Sequence, residues 1–300
     1  MSTSTSSEPH TGTIGHGTNA WHYSSKTGFD LTRPSNPQTG PMKPNLTIQT
    51  TTKPITINPS KSALIIIDMQ NFFLSPAFGR PPGPGHRAVD QLTQHAIPAA
   101  RKAGVRIVWL NWGLSDQDLV ALPPGVRRAF GFVLDTGEAR DKHGGLARLE
   151  GLGAECGIVK EPRSGRKIDA GRLLVRDAWN SALYPPLDGF FEEGSKLPNR
   201  PDVWMHKNRM SGMWGPKTEC EEFLEEQGIK TLFFAGVNTD QCVGGTLMDS
   251  FSKGYDCILL SDGCGTSSPE FAQQCFQFNA ENTFGFQTTC EDLAQGVSTM

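Results

Sequence analysis

Three side chains far apart in the sequence have types that together could do covalent chemistry: Asp68, Lys207 and Cys242. Cys242 follows the apolar run Phe233-Phe234-Ala235-Gly236-Val237 and four polar residues, Asn238 to Gln241, and it precedes Val243 to Phe251, which reads as a helix. A thiol at a strand-to-helix turn meets backbone N–H groups and the positive end of the helix dipole. That setting is expected to lower its pKa and supply a nucleophilic thiolate. Standing alone, a free Cys is ordinarily a small buried hydrophobe. Asp68, at the end of the run Ala63 to Ile67, could take the thiol proton and later return it to a leaving amine. Lys207, after Asp202 to His206, would favour both carboxylate and thiolate by its charge and hold the Asp in place. Each has a plainer reading alone, the Asp as a turn cap and the Lys as a solvated surface group. Their common position, just past the ends of predicted strands, is what points to chemistry.

The elements that must position them are legible in the hydrophobic pattern. Ala63 to Ile67 is entirely apolar, the mark of a strand buried on both faces. Residues 88–103 read as a helix stopped by Gly104, with Pro98 expected to kink or split it. Strands follow at 105–110, 202–206, 230–236, 255–261 and 284–288, with helices at 217–227, 241–253 and 269–281 between the later ones. Such alternation predicts an α/β fold of three layers, Rossmann-like, with a parallel sheet covered by helices on both faces. Ligands in that architecture bind beyond the C-terminal strand ends, where Asp68, Lys207 and Cys242 fall. Residues 1–60 are rich in Ser, Thr, Gly and Pro and predict an irregular N-terminal arm, though Trp21-His22-Tyr23 and Phe29-Asp30-Leu31 are apolar enough to pack on the domain or on a neighbouring subunit. The main domain then runs over 61–300, with a Gly- and Pro-rich, loop-dominated insertion with short helices at about 112–200. An insertion that long is uncommon unless it serves a function.

Composition excludes some partners. A net charge of −3 without a Lys/Arg-rich block argues against nucleic acid or a membrane surface. The seven cysteines show no disulfide framework, and the polar N-terminus carries no apolar signal segment, so a reducing, cytoplasmic setting is expected. No run approaches the ~20 apolar residues that span a bilayer. The apolar patches of the arm suggest shared contacts in a homo-oligomer, a dimer or tetramer.

Three segments carry a family resemblance. Ala63-Leu64-Ile65-Ile66-Ile67-Asp68-Met69-Gln70-Asn71, His206-Lys207-Asn208-Arg209-Met210-Ser211-Gly212, and Gly236 to Val243 resemble the opening strand, the K-x-R-x-S segment and the nucleophile segment of the isochorismatase-like cysteine hydrolases. That superfamily includes nicotinamidase, N-carbamoylsarcosine amidohydrolase and ureidoacrylate amidohydrolase. Phe271 to Gln274 and Glu281 to Phe286 look most like the ureidoacrylate branch. The resemblance spans about 61–111 and 202–295 and leaves the arm and the insertion without a counterpart. It implies that Asp68, Lys207 and Cys242 form a catalytic triad and that the reaction passes through a Cys242 acyl-enzyme. It also implies backbone N–H groups of Asn238 and Cys242 as oxyanion donors, worth about 3 kcal/mol each, and a cis peptide bond between Val237 and Asn238.

Nicotinamidases carry metal ligands after the second strand in a D-x-H-like run. Here the residues are Asn111-Trp112-Gly113-Leu114-Ser115-Asp116, without a His, so no metal and no cofactor are expected. His206, last in its strand, reads as packing or capping. Asn111 could hydrogen-bond an amide or ureido group, and Gln70, Phe73 and Trp214 are candidate pocket-lining residues, although Trp214 could equally be core. Cys257, Cys264 and Cys275 read as inert packing residues. The expected activity is hydrolysis of a C–N bond in a small amide, carbamoyl or ureido compound. Two alternatives remain open: vinyl-ether hydrolysis as in an isochorismatase proper, whose relatives of that activity resemble forms lacking the Cys, and a non-catalytic binding or scaffold member of the fold.

Overall fold

Where low apolar periodicity suggested an irregular arm, the chain forms sheet. The computed structural model describes residues 8–36 and 39–300; the first seven residues of the arm lie outside them. Strands β1 (Thr11–His16), β2 (Asn19–Ser24), β3 (Gly28–Asp30), β4 (Leu46–Ile48) and β5 (Ile55–Ile57) make one sheet in the order β1-β2-β3-β5-β4. The arm lacks periodicity because its few apolar residues pack at long range. Trp21 and Phe29 lie against Phe286, with ring centroids 5.6 and 5.4 Å away.

The central sheet uses the buried runs. β6 (Ser62–Ile67) pairs in parallel with β7 (Arg106–Trp112). The insertion adds two small hairpins, β8 (Phe132–Val133) with β9 (Ala139–Arg140) and β10 (Ile158–Lys160) with β11 (Lys167–Asp169). The sheet is completed by β12 (Val203–Lys207), β13 (Thr231–Val237), β14 (Asp256–Gly265) and β15 (Gly285–Thr288), and its order is β12-β7-β6-β13-β14-β15, parallel throughout. Helices cover both faces. Leu64, Ile66, Ile107 and Trp109 pack against the helical run 84–103 and the helix Cys290–Ser298, while Ile65, Ile67, Val108 and Leu110 pack against Glu219–Glu226, Gly244–Ser252 and Glu270–Asn279. The run 84–103 does not split at Pro98. A π-helical turn over Leu92–Ala96 precedes the proline and takes up the register change that the missing N–H would otherwise force.

The insertion carries short helices, as its pattern led one to expect. It contains helices Asp116–Ala121, Pro124–Ala129 and Leu187–Gly194, and a core of its own that includes Phe72, Trp112, Leu114, Leu173 and Leu174. It is tied to the chain just after Asp68, since Asn71 N–H donates to Ala182 O at 2.9 Å and Tyr184 N–H to Met69 O at 2.8 Å. Among the described residues no helix is long and apolar enough to cross a membrane.

The arm is fastened to its own domain by one buried carboxylate. Asp256 accepts from both Arg33 guanidinium nitrogens at 2.5 and 2.7 Å, from Trp21 Nε1 at 2.9 Å and from Thr231 Oγ1 at 2.8 Å. Removing one partner of such a pair leaves a charge uncompensated in the interior. Arg33→Ala is therefore expected to lower the unfolding free energy by about 3 kcal/mol in urea titrations; a loss indistinguishable from zero would mean that the arm is not held by this pair.

Candidate active site

Asp68 is placed by backbone geometry as much as by its strand. It leaves β6 in the left-handed region at φ +53°, which Asp tolerates better than most residues, and its carboxylate turns back beneath the sheet edge. Oδ1 accepts the Trp112 N–H at 3.0 Å and Oδ2 meets the Lys207 ammonium at 2.9 Å. The other two ammonium protons have carbonyl acceptors, Arg209 O at 3.0 Å and Met210 O at 3.2 Å. Lys207 Nζ also lies 4.1 Å from the centroid of the Trp112 ring, a cation–π contact. Both charged groups are almost wholly buried, with side-chain exposures of 0 and 1 %.

Cys242 comes to the same place from β13. The strand ends at Gly236-Val237, the Val237–Asn238 peptide bond is cis, and Thr239–Val243 forms a π-helical turn that carries the thiol. Gly236 is required where it stands. At φ +119° a Cβ there would lie 2.0 Å from the Ile67 carbonyl oxygen, so only glycine lets β13 approach β6 immediately before Asp68. That close approach brings the base strand and the nucleophile strand to one edge. The Cys242 sulfur is 3.3 Å from Met210 Sδ and the residue is 4 % exposed.

The electrostatics correct one expectation. Helix-dipole reasoning predicted a lowered thiol pKa, but burial pushes the Cys242 thiol up to about 12, with Lys207 opposing the rise and the Asp68 charge adding to it. Burial likewise raises the Asp68 carboxyl, against the opposing charge of Lys207. The desolvated interior outweighs a single helical turn of dipole. Burial favours the neutral thiol beside Asp68, an arrangement in which the two groups can exchange a proton as the sulfur attacks. Burial also raises Cys220, to about 12, and Cys257 as well. What sets Cys242 apart is the Asp68–Lys207 pair beside it.

The other singled-out residues are dispersed. Gln70 is fully buried and its Nε2 donates to Trp112 O at 2.7 Å and Ser181 O at 2.6 Å, so it ties the insertion to β7. Asn111 lies in β7, fully buried. Its amide is buried without a hydrogen-bond partner. Phe73 packs edge-on against Phe72 at 5.0 Å. Trp214 is exposed, stacks under the Arg209 guanidinium at 4.5 Å and donates to Asn208 Oδ1. It lines a cavity of about 210 Å³ with Arg176, His206, Lys207 and Lys217. A second cavity of about 280 Å³ is bounded by Asn71, Trp179, Tyr184 and Pro186, and neither is lined by Asp68 or Cys242. His206 packs: its Nδ1 accepts from Trp204 Nε1 at 3.3 Å, and burial lowers its pKa. Among the described residues no group of three or more His, Cys, Asp and Glu is gathered as a metal site would need.

Sequence reasoning missed two neighbours of the triad. Trp112 gives its backbone N–H to Asp68 and its ring to Lys207, and Met210 covers the thiol. Trp112 could have been found from the two-residue alternation of β7, and Met210 from its place between Lys207 and Ser211.

Comparison with known proteins agrees with this architecture. A family model described as the isochorismatase domain matches residues 62–292. The chain is similar to a cysteine hydrolase structure from Pseudomonas syringae pv. phaseolicola, at 18% identity and TM-score 0.55 over 86% of this chain and 99% of that one. It is also similar to a nicotinamidase from Bacillus subtilis, at 19% identity and TM-score 0.52 over 76% and 99%. An isochorismatase-like hydrolase from Alkaliphilus metalliredigens matches at 20% identity and TM-score 0.51 over 80% and 98%. With its parallel six-stranded sheet and a family match over most of its length, this chain belongs to the isochorismatase family.

Proposed function

We propose that the protein is a cysteine hydrolase that cleaves the C–N bond of a small amide, carbamoyl or ureido substrate, with Asp68, Lys207 and Cys242 as its catalytic residues. The observation that carries this reading is the charge-paired carboxylate buried beside a thiol, in a setting where neither group has a structural need for the other. Burying the Asp68–Lys207 pair gains little stability over apolar residues of the same size, so its presence calls for another reason. The nicotinamidase among the similar structures is in keeping with an amide substrate.

The steps follow from the geometry. As Cys242 Sγ attacks the carbonyl carbon, its proton passes to Asp68, and the carbonyl π pair moves onto oxygen. Backbone N–H groups of Asn238 and Cys242 would hold that oxyanion. When the tetrahedral adduct collapses, the C–N bond breaks and Asp68 returns the proton to the leaving nitrogen, which leaves a Cys242 thioester. Asp68 then takes a proton from water, the hydroxide attacks the thioester, and the acid departs as the thiol is protonated again. Lys207 favours the ionised form of Asp68 between steps and is itself held by two carbonyl acceptors, Arg209 O and Met210 O.

A screen of small amides, ureas and carbamates, read by ammonia release, is expected to give turnover that Cys242→Ala reduces by at least about a thousandfold. Full turnover in Cys242→Ala would refute the nucleophile assignment. Because Asp68 must be ionised to accept the proton and burial raises its pKa, kcat/KM should fall as pH drops through a value above the ~3.9 of an ordinary Asp. An acid limb at or below that ordinary value would contradict its role as base. Lys207→Met leaves a buried carboxylate unpaired and should cost about 3–5 kcal/mol of stability, part of which Asp68→Asn in the same chain restores. If the double variant is no more stable than Lys207→Met alone, the two groups are not coupled as described.

A further inference from the structure

One partly buried side chain stands directly on the nucleophile's sulfur. Cys242, Asp68 and Lys207 are buried, whereas Met210 is only partly so. An acyl carbon about to be attacked must lie about 3–3.5 Å from the sulfur, and Met210 Sδ already stands 3.3 Å from it. The Met210 backbone has little freedom to withdraw, because its carbonyl and that of Arg209 accept from the Lys207 ammonium. The side chain is different. It has three rotatable bonds and no branch, and its Cγ runs past Gly245, 3.7 Å from where a Cβ there would stand. Glycine at that point leaves space beside the thioether.

We propose that Met210 is a displaceable plug over Cys242 and the residue that sets which acyl groups reach it, a role that rests on Cys242 being the nucleophile. A slim, unbranched acyl or carbamoyl group takes the space of the thioether as the side chain rotates outward. A group branched next to the carbonyl needs more room than that rotation releases. Met210 thus selects on the acyl side of the scissile bond and leaves the amine side to other walls.

The test is alkylation of the intact protein by iodoacetamide, with the rate at Cys242 mapped by mass spectrometry and scaled to that of the exposed Cys275. Met210→Ala should raise the scaled Cys242 rate by about tenfold or more, Met210→Thr should raise it too, and Met210→Leu, which keeps the volume, should stay within about threefold of the natural protein. With amide substrates, Met210→Ala should lower KM for branched acyl groups more than for slim ones. Equal, measurable Cys242 rates in the natural protein and both smaller variants would overturn the plug and leave the nucleophile reading standing. No modification of Cys242 in any of them would overturn both.

Discussion

The buried Asp68–Lys207 ion pair is the constraint on which the rest of the site depends. Two opposite charges without water need every remaining lone pair and proton satisfied, or their desolvation outweighs their attraction. The chain supplies partners from several segments, although Asp68 Oδ2 meets only the Lys207 charge and no hydrogen-bond donor. β6 delivers Asp68 in a left-handed conformation, β7 supplies the Trp112 N–H and ring, and β12 ends in Lys207, whose turn offers two carbonyls. The insertion holds the other end of this arrangement through Gln70, which bonds Trp112 O and Ser181 O. The geometry that orients the base is the same geometry that keeps the charges tolerable.

From that constraint follows the state of the thiol. The same burial that encloses the ion pair pushes the Cys242 thiol up, against the opposing charge of Lys207. Burial thus favours the protonated thiol, with Asp68 beside it as a proton acceptor. Met210 fits the same logic, since its apolar thioether stands 3.3 Å from the thiol sulfur.

Much of this was legible in the sequence, and the parts that were not share a physical reason. The six core strands and their order of appearance show in continuous apolar runs such as Leu64 to Ile67 and Leu232 to Ala235, because strands buried on both faces leave a local signature. Asp68, Lys207 and Cys242 could be grouped because strand-end positions in a parallel sheet fall on one edge. The arm's strands left no such trace: Trp21 and Arg33 gain their meaning from Asp256, more than two hundred residues away. Asn111 was expected to hydrogen-bond substrate from its place at a strand end, and its amide is buried with neither atom paired. The thiol pKa was misjudged because a local cue, the helix turn, is visible in sequence while burial is a property of the whole fold.

The central claim is that Cys242 becomes acylated with Asp68 as its base. The most direct measurement is to react the protein with p-nitrophenyl acetate, quench in acid and map the acetyl group by peptide mass spectrometry. The account predicts acetyl on Cys242 in the natural chain and its loss in Asp68→Asn. Acetylation confined to the exposed Cys275, or equal acetylation of Cys242 with and without the Asp68 carboxylate, would contradict it.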